Sequence, residues 1–146
     1  MDNPIVIKFK ALDKRAKMPE KAYETDAGFD LFAIRKQKLN GNNKSIVPTG
    51  LAFNIPEGYY AQIKDRSGMA STTTLKVKAG VIDSGYRGEI GVVMANYGPY
   101  PIEILEGDKI AQIIILPVPR VEFKKVGNIG KSPRDKKGFG STDKKK

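Results

Sequence analysis

An all-β domain, a sandwich or jelly roll that carries its functional residues on loops, is the fold class this sequence predicts. Three observations lead there. Apolar residues recur with the period of two that suits half-buried strands, clusters of Gly, Pro and Asn interrupt those runs at short intervals, and only one stretch suits a helix.

Taken in order, Ile5, Ile7 and Phe9 alternate with Val6, Lys8 and Lys10, the pattern of a strand with one face more buried than the other. Further strands are expected over residues 30–34, 45–47, 50–55, 59–64, 76–79, 89–96, 102–105, 109–117 and 121–126. Breaks such as Asn40-Gly41-Asn42-Asn43 and Glu57-Gly58-Tyr59-Tyr60 supply the turns between them. The one helical piece follows Ser67 through residues 69–74, and the successive Thr72, Thr73 and Thr74 keep it short. Beyond Val126 the apolar period stops. The chain therefore divides into a β domain over residues 1–126 and a tail over 127–146, expected to be mobile when nothing is bound.

Composition narrows the chemistry. The chain has 146 residues, enough to bury a core without cross-links, and contains neither cysteine nor histidine. Disulfides, thiolate zinc sites, Ser-His-Asp triads and Cys-His dyads are thereby excluded, which leaves Asp, Glu, Lys, Tyr or bound water for proton transfer. No apolar run is long enough for a signal or a membrane helix, so a soluble, cytoplasmic protein is expected. The formal charge of +10, much of it in the last residues, suits a solvated lysine-rich surface better than a nucleic-acid interface.

Five segments carry candidate chemistry. AGFDLFA (27–33) contains Asp30, and GDKIAQ (107–112) contains Asp108, read as a turn residue, and Gln112; strand structure alone would also account for Asp30 and Gln112. DRSGMA (65–70) offers Arg66 for two-pronged contact with phosphate, the Ser67 hydroxyl, and Gly68 for close approach of main-chain amides; an ordinary surface turn is the alternative. AGVIDSGYRGEI (79–90) has the makings of a hairpin that presents main-chain groups and Tyr86 to a flat ligand, with Asp83 either capping its own turn or acting as a general base. In RDKKGFGST (134–142), Gly138 and Gly140 bracket Phe139, while Arg134, Ser141 and Thr142 suit phosphate; a disordered lysine-rich tail is the alternative.

In this order, the five segments resemble the five motifs of the trimeric dUTPase family. The resemblance implies a jelly roll that hydrolyses dUTP to dUMP and pyrophosphate as a homotrimer with shared sites, limiting uracil incorporation into DNA and supplying dUMP for thymidylate synthesis. It implies Mg²⁺ held mainly through the substrate phosphates, with no direct protein ligand assigned, and neither an obligate nucleic-acid partner nor a membrane. Asp83 matches the carboxylate that activates water. Gly80, Ile82 and Gly91 belong to the uracil-receiving hairpin, Tyr86 matches the aromatic beneath the deoxyribose, and Asp30 supports the site or faces metal-bound water. Arg66, Ser67, Gly68 and Gln112 match residues at the phosphates, and Arg134, Phe139, Gly140, Ser141 and Thr142 belong to a flap that covers the substrate. By the same resemblance one subunit gives Asp30, Arg66 and Gln112, a second the hairpin and a third the tail. Two departures stand out: Asp65 replaces the family's usual Pro, and Asp135 and Lys137 stand where Gly is common. The competing readings are a dCTP deaminase or bifunctional relative of the same fold, and a non-catalytic nucleic-acid or signalling module.

Overall fold

The computed structural model describes residues 3–138. The flap residues Phe139, Gly140, Ser141 and Thr142 lie outside the described residues.

Two four-stranded antiparallel sheets enclose one apolar core, as the expected all-β jelly-roll class requires. The first has the order β1 (Lys8–Ala11), β4 (Asn43–Asn54), β8 (Glu89–Asn96), β6 (Leu75–Lys78), and the second β2 (Phe29–Phe32), β10 (Lys109–Pro117), β5 (Tyr59–Lys64), β7 (Val81–Ile82). A small pair, β3 (Gln37–Leu39) and β9 (Ile102–Ile104), lies beside them, and α1 (Ser67–Thr72) is the one helix among the described residues. No helix there is long and apolar enough to cross a membrane.

Alternation explains how the sheets meet. Along β4, Val47, Thr49, Leu51 and Phe53 are buried, while on β8 Ile90, Val92 and Met94 face the same interior. From the second sheet Leu31, Ala61, Ile63, Ile110, Ala111 and Ile113 complete the core.

Several boundaries differ from expectation for identifiable reasons. The two strands expected over 45–47 and 50–55 are one, because Pro48 and Gly50 form a bulge that bends the strand without ending it. The ladder runs to Pro48 opposite Gly91 and resumes at Ala52 opposite Glu89, and Gly50 takes a φ of +68° with its N–H donated to the Glu89 carboxylate. The first strand begins at Lys8 instead of Ile5 and is wholly exposed; Ile5, Ile7 and Phe9 line a surface hollow with Phe29, Phe53 and Ile113. The helix starts at Ser67, two residues earlier than expected, and Thr73 ends it by returning its hydroxyl and its N–H to the Met69 carbonyl.

The strand expected over 121–126 does not form. After Pro117 the chain joins none of the sheet edges among the described residues, and Val121, Phe123 and Val126 stay exposed, Phe123 at 98%. Alternating apolar residues make a strand only where a neighbouring backbone completes the hydrogen bonds. The short β3 and β7 went unread because two or three residues carry no period.

Asn96 is a polar junction in the core, 1% exposed. Its amide group donates to the carbonyls of Leu39 and Tyr100, and its Oδ1 accepts from the Thr74 hydroxyl and the Gly98 N–H. Replacing it with the apolar Leu leaves those groups without partners, so Asn96→Leu is expected to lower folding stability by about 3 kcal/mol. Urea denaturation monitored by tyrosine fluorescence tests this, and a loss under about 1 kcal/mol would mean that the junction relaxes or admits water.

Candidate active site

Strand register assembles the first half of the site. On β10, Gln112 lies opposite Asp30 of β2 on one side and Lys64 of β5 on the other, so three adjacent strands carry Asp30, Gln112 and the loop after Lys64 to one place. A cavity of about 260 Å³ opens there, with Asp26, Asp30, Arg66, Ser67, Gly68 and Gln112 in its walls.

Asp30 organises these walls. One carboxylate oxygen accepts from Arg66 Nε at 2.8 Å and the other lies 2.8 Å from Lys109 Nζ, while the side chain is only 14% exposed. Burial by itself raises the carboxyl pKa; the hydrogen bonds from Lys109 and Arg66, with their positive charge, outweigh it and hold the group below its ordinary value. Because Arg66 meets Asp30 through Nε, its two terminal amino groups have no protein partner among the described residues. The Ser67 hydroxyl is likewise unpartnered there, and at Gly68 a Cβ would meet nothing within 4 Å. Such free donors around open space suit an anion.

Gln112 is fixed from two sides. Its Nε2 donates to the Asp65 carbonyl at 2.8 Å, and a Cβ on Gly28 would stand 2.3 Å from its Oε1, so glycine at 28 makes room for the amide. Gly28 and Lys109 were absent from the sequence reading although both sit within its segments. A register shift between Lys109 and Ala111 changes the alternation, and this irregularity is invisible in residue spacing.

The second half of the site is the hairpin between β6 and β8. Ala79 and Gly80 turn the chain with φ of +55° and +98°, the Gly80 carbonyl accepts from Ile63 N–H at 2.7 Å, and a Cβ on Gly80 would lie 2.6 Å from the Ile63 oxygen. Ile82, paired with Ala61, is half-buried against the core. Gly91 stands in β8 opposite Pro48, where a Cβ would meet a methyl of the exposed Ile46.

Asp83 begins the turn, which the Tyr86 N–H closes on the Asp83 main-chain carbonyl at 3.1 Å. Its carboxylate therefore does not cap the turn, and has no hydrogen-bond or ion-pair partner among the described residues. Tyr86 donates its hydroxyl to the Glu89 carbonyl at 3.0 Å, which lays the ring across Gly88 with 46% of the residue exposed. Arg87, unremarked in the sequence, clamps the turn by donating to the carbonyls of Ser84 and Tyr86 and to Asn54 Oδ1 on β4.

Hairpin and cavity are separate within one chain, since none of residues 80–91 lines the cavity that holds Asp30, Arg66 and Gln112. Arg134 does not line the cavity either; it is exposed in the tail, with Nε donated to the Lys137 carbonyl. Asp135 has a φ of +47°, the left-handed conformation that glycine adopts freely and Asp tolerates better than most residues. Among the described residues no group of three or more acidic side chains forms a cage for a metal ion.

The chain is similar to known proteins over most of its length. The family model described as dUTPase matches residues 14–143. Deoxyuridine 5'-triphosphate nucleotidohydrolase of Clostridium tetani is 40% identical, over 94% of this chain and 97% of the relative, and that of Solanum lycopersicum 39% identical, over 91% and 79%. A mutant dUTPase of Staphylococcus bacteriophage 80alpha with dUpNHpp superposes with a TM-score of 0.87 at 32% identity, covering 93% of this chain and 97% of that one. A mutant dUTPase from phage phi11 of S. aureus, whose structure concerns coordination of a structural Mg(II) ion, has a TM-score of 0.80 at 31% identity, covering 85% and 98%.

The ion pairs of Asp30 make a pH-dependent contribution. Its folded pKa lies below the ordinary 3.8, so the stabilisation is complete above the normal carboxylate range and is lost as pH falls below 3.8 towards the depressed value. Thermal melting between pH 7 and pH 3 should show Asp30→Asn less stable than the parent at neutrality, with the gap closing in acid. A gap that stays constant with pH would disconnect Asp30 from this linkage.

Proposed function

Because the chain belongs to the dUTPase family and is a dUTP diphosphatase, we propose that it cleaves dUTP by in-line attack of an Asp83-activated water on the α-phosphorus, releasing dUMP and pyrophosphate. The observation that carries this mechanism is the free Asp83 carboxylate, on a turn that closes without it. In a chain with no histidine, such a carboxylate is a suitable general base, a role typically worth about 10²–10⁴-fold in rate.

The cavity half of the site binds the phosphates. The terminal amino groups of Arg66 and the Ser67 hydroxyl supply donors, Gly68 leaves the main chain accessible, and Asp30 with Gln112 holds the loop in place. Mg²⁺ fits this site as an ion carried by the triphosphate. Asp30 is already shared between two cations and Asp26 is the other carboxylate in the wall, so these two would face the ion's water shell without enclosing it. When bound, the ion neutralises phosphate charge and makes the α-phosphorus more open to attack.

The hairpin half selects the nucleoside. Main-chain donors and acceptors held by the Gly80–Ile63 bond suit the edge of uracil, and cytosine, with its edge reversed, would leave buried polar groups unpaired. Tyr86, fixed through Glu89 and the Arg87 clamp, supports deoxyribose at a distance that a 2′-hydroxyl would violate. Since hairpin and cavity lie apart in one chain, a complete site joins the cavity of one subunit to the hairpin of another. Phe139, Gly140, Ser141, Thr142 and Arg134 of a third close over the substrate in a homotrimer.

Pyrophosphate release measured across dUTP, dCTP, dTTP and UTP, with ammonia release followed for dCTP, tests the reading. Turnover confined to dUTP supports it. Ammonia from dCTP would make the chain a deaminase, and salt-sensitive DNA binding with no turnover would make it a nucleic-acid module.

Two variants examine the roles separately. Asp83→Asn should keep affinity for dUTP while turnover falls roughly 10²-fold or more, because the amide keeps the shape and loses the proton acceptor. Near-normal turnover in the folded variant would remove Asp83 from the base role. A chain ending at Val126 should melt and scatter light like the full trimer yet lose most activity, since the described residues beyond it are exposed. Retained turnover would end the flap assignment, and a monomeric product would assign the tail to assembly.

A further inference from the structure

We infer that Asp65 is a positioning residue which braces the phosphate-binding loop against the strand that leads into the nucleoside hairpin, so that one side chain positions the half that this subunit gives to each of two active sites. The inference rests on the functions proposed above for Arg66 and the hairpin. A carboxylate next to Arg66, beside a site for a triphosphate, is at first sight unfavourable, since it adds negative charge where an anion must bind. Its orientation resolves the difficulty. Asp65 is not among the cavity walls; its Oδ1 accepts the main-chain N–H of Val77 at 2.6 Å, on the other sheet.

Val77 belongs to β6, an edge strand whose other side pairs with β8 through Val77 and Met94. Its N–H has no further strand to bond, and Asp65 supplies the missing acceptor. Residue 65 is also held by its backbone, since its carbonyl accepts from Gln112. Two residues earlier the Ile63 N–H reaches the Gly80 carbonyl. The end of β5 is thus fastened to the 77–80 segment at two points, one main-chain and one side-chain.

Between those fastenings lies Ala79 at φ +55°, a conformation that an alanine holds only when its surroundings enforce it. The corner formed by Ala79 and Gly80 sets the direction in which the hairpin leaves the sheet. Removing the Asp65 bond frees the Val77 side of that corner and, through the same residue, loosens the loop that begins at Arg66. A bond that merely covered a strand edge would contribute stability and nothing else; this one joins two functional segments that share no cavity.

The test uses steady-state kinetics on the full-length protein with dUTP and dCTP, alongside thermal melting. Asp65→Ala should raise KM for dUTP about tenfold, the size expected from losing one charge-assisted hydrogen bond, and should narrow the dUTP over dCTP ratio in kcat/KM. Asp65→Asn, which keeps an acceptor oxygen, should restore most of both. Val77→Pro removes the donor from an edge position that accepts proline, so it should reproduce the Ala phenotype, and the double variant should be no worse than either single one. This pair also covers the case in which one substitution fails to fold. Lower melting temperature with KM and selectivity unchanged, or additive effects of the two substitutions, would overturn the brace. A parent protein that does not turn over dUTP would instead overturn the proposed function.

Discussion

Arg66 and Lys109 both bring a cation to Asp30, one to each carboxylate oxygen, and the cavity depends on that shared contact. The three residues come from different segments: a strand near the start, the loop before the helix, and the bulged beginning of the last strand. Without the carboxylate, two positive groups would face each other across a half-buried gap. With it, Arg66 is held through Nε and keeps its terminal amino groups for a ligand. The contact is strong enough to overcome the burial that would otherwise favour a neutral acid, so the carboxylate stays charged where the site needs it. The pairing of Gln112 with both Asp30 and Lys64 then spaces the rest of the walls from this point.

The hairpin is preorganised by a different means. Tyr86, Arg87 and Glu89 are neighbours in sequence and each returns a side chain to main-chain groups, to the turn or to the bend in β4. The turn therefore keeps its shape through bonds that leave Asp83 alone. On the proposed mechanism, this freedom is what would let Asp83 accept a proton in a protein without histidine. Asp30 illustrates the opposite case, a carboxylate so fully engaged that it organises its neighbours and has little left for proton transfer.

Much of this was legible in the sequence where residue type and period agree. The alternation over 59–64, 89–96 and 109–117 corresponds to β5, β8 and β10 because those strands bury one face in the core. Arg66, Ser67 and Gly68 were legible as a group because their donors suit phosphate, Gln112 was set beside them by family resemblance alone, and all four line one cavity. What escaped depends on register or on partners distant in sequence. Lys109 reaches Asp30 only through a bulge, Asp65 has meaning only beside Val77, and Gly28 only under Gln112. Residues 121–126 were misread for the complementary reason, as their period is real but no backbone lies alongside. Whether Asp83 served its turn or a substrate was undecidable from residue types, since both uses favour Asp in a loop.

The exposed stretch from Val118 to Gly138 has a kinetic consequence. Its 21 residues can span up to about 70 Å when extended, so on the proposed flap reading they give what they carry a wide reach. Tethering converts a bimolecular encounter into an intramolecular one, with an effective concentration on the order of millimolar for a short flexible linker and a slow decline as length grows. On the proposed flap reading, closure over a substrate would depend on the terminal residues and only weakly on the intervening ones. Lengthening or shortening the stretch by a few residues is accordingly a small perturbation, whereas altering what it delivers is not.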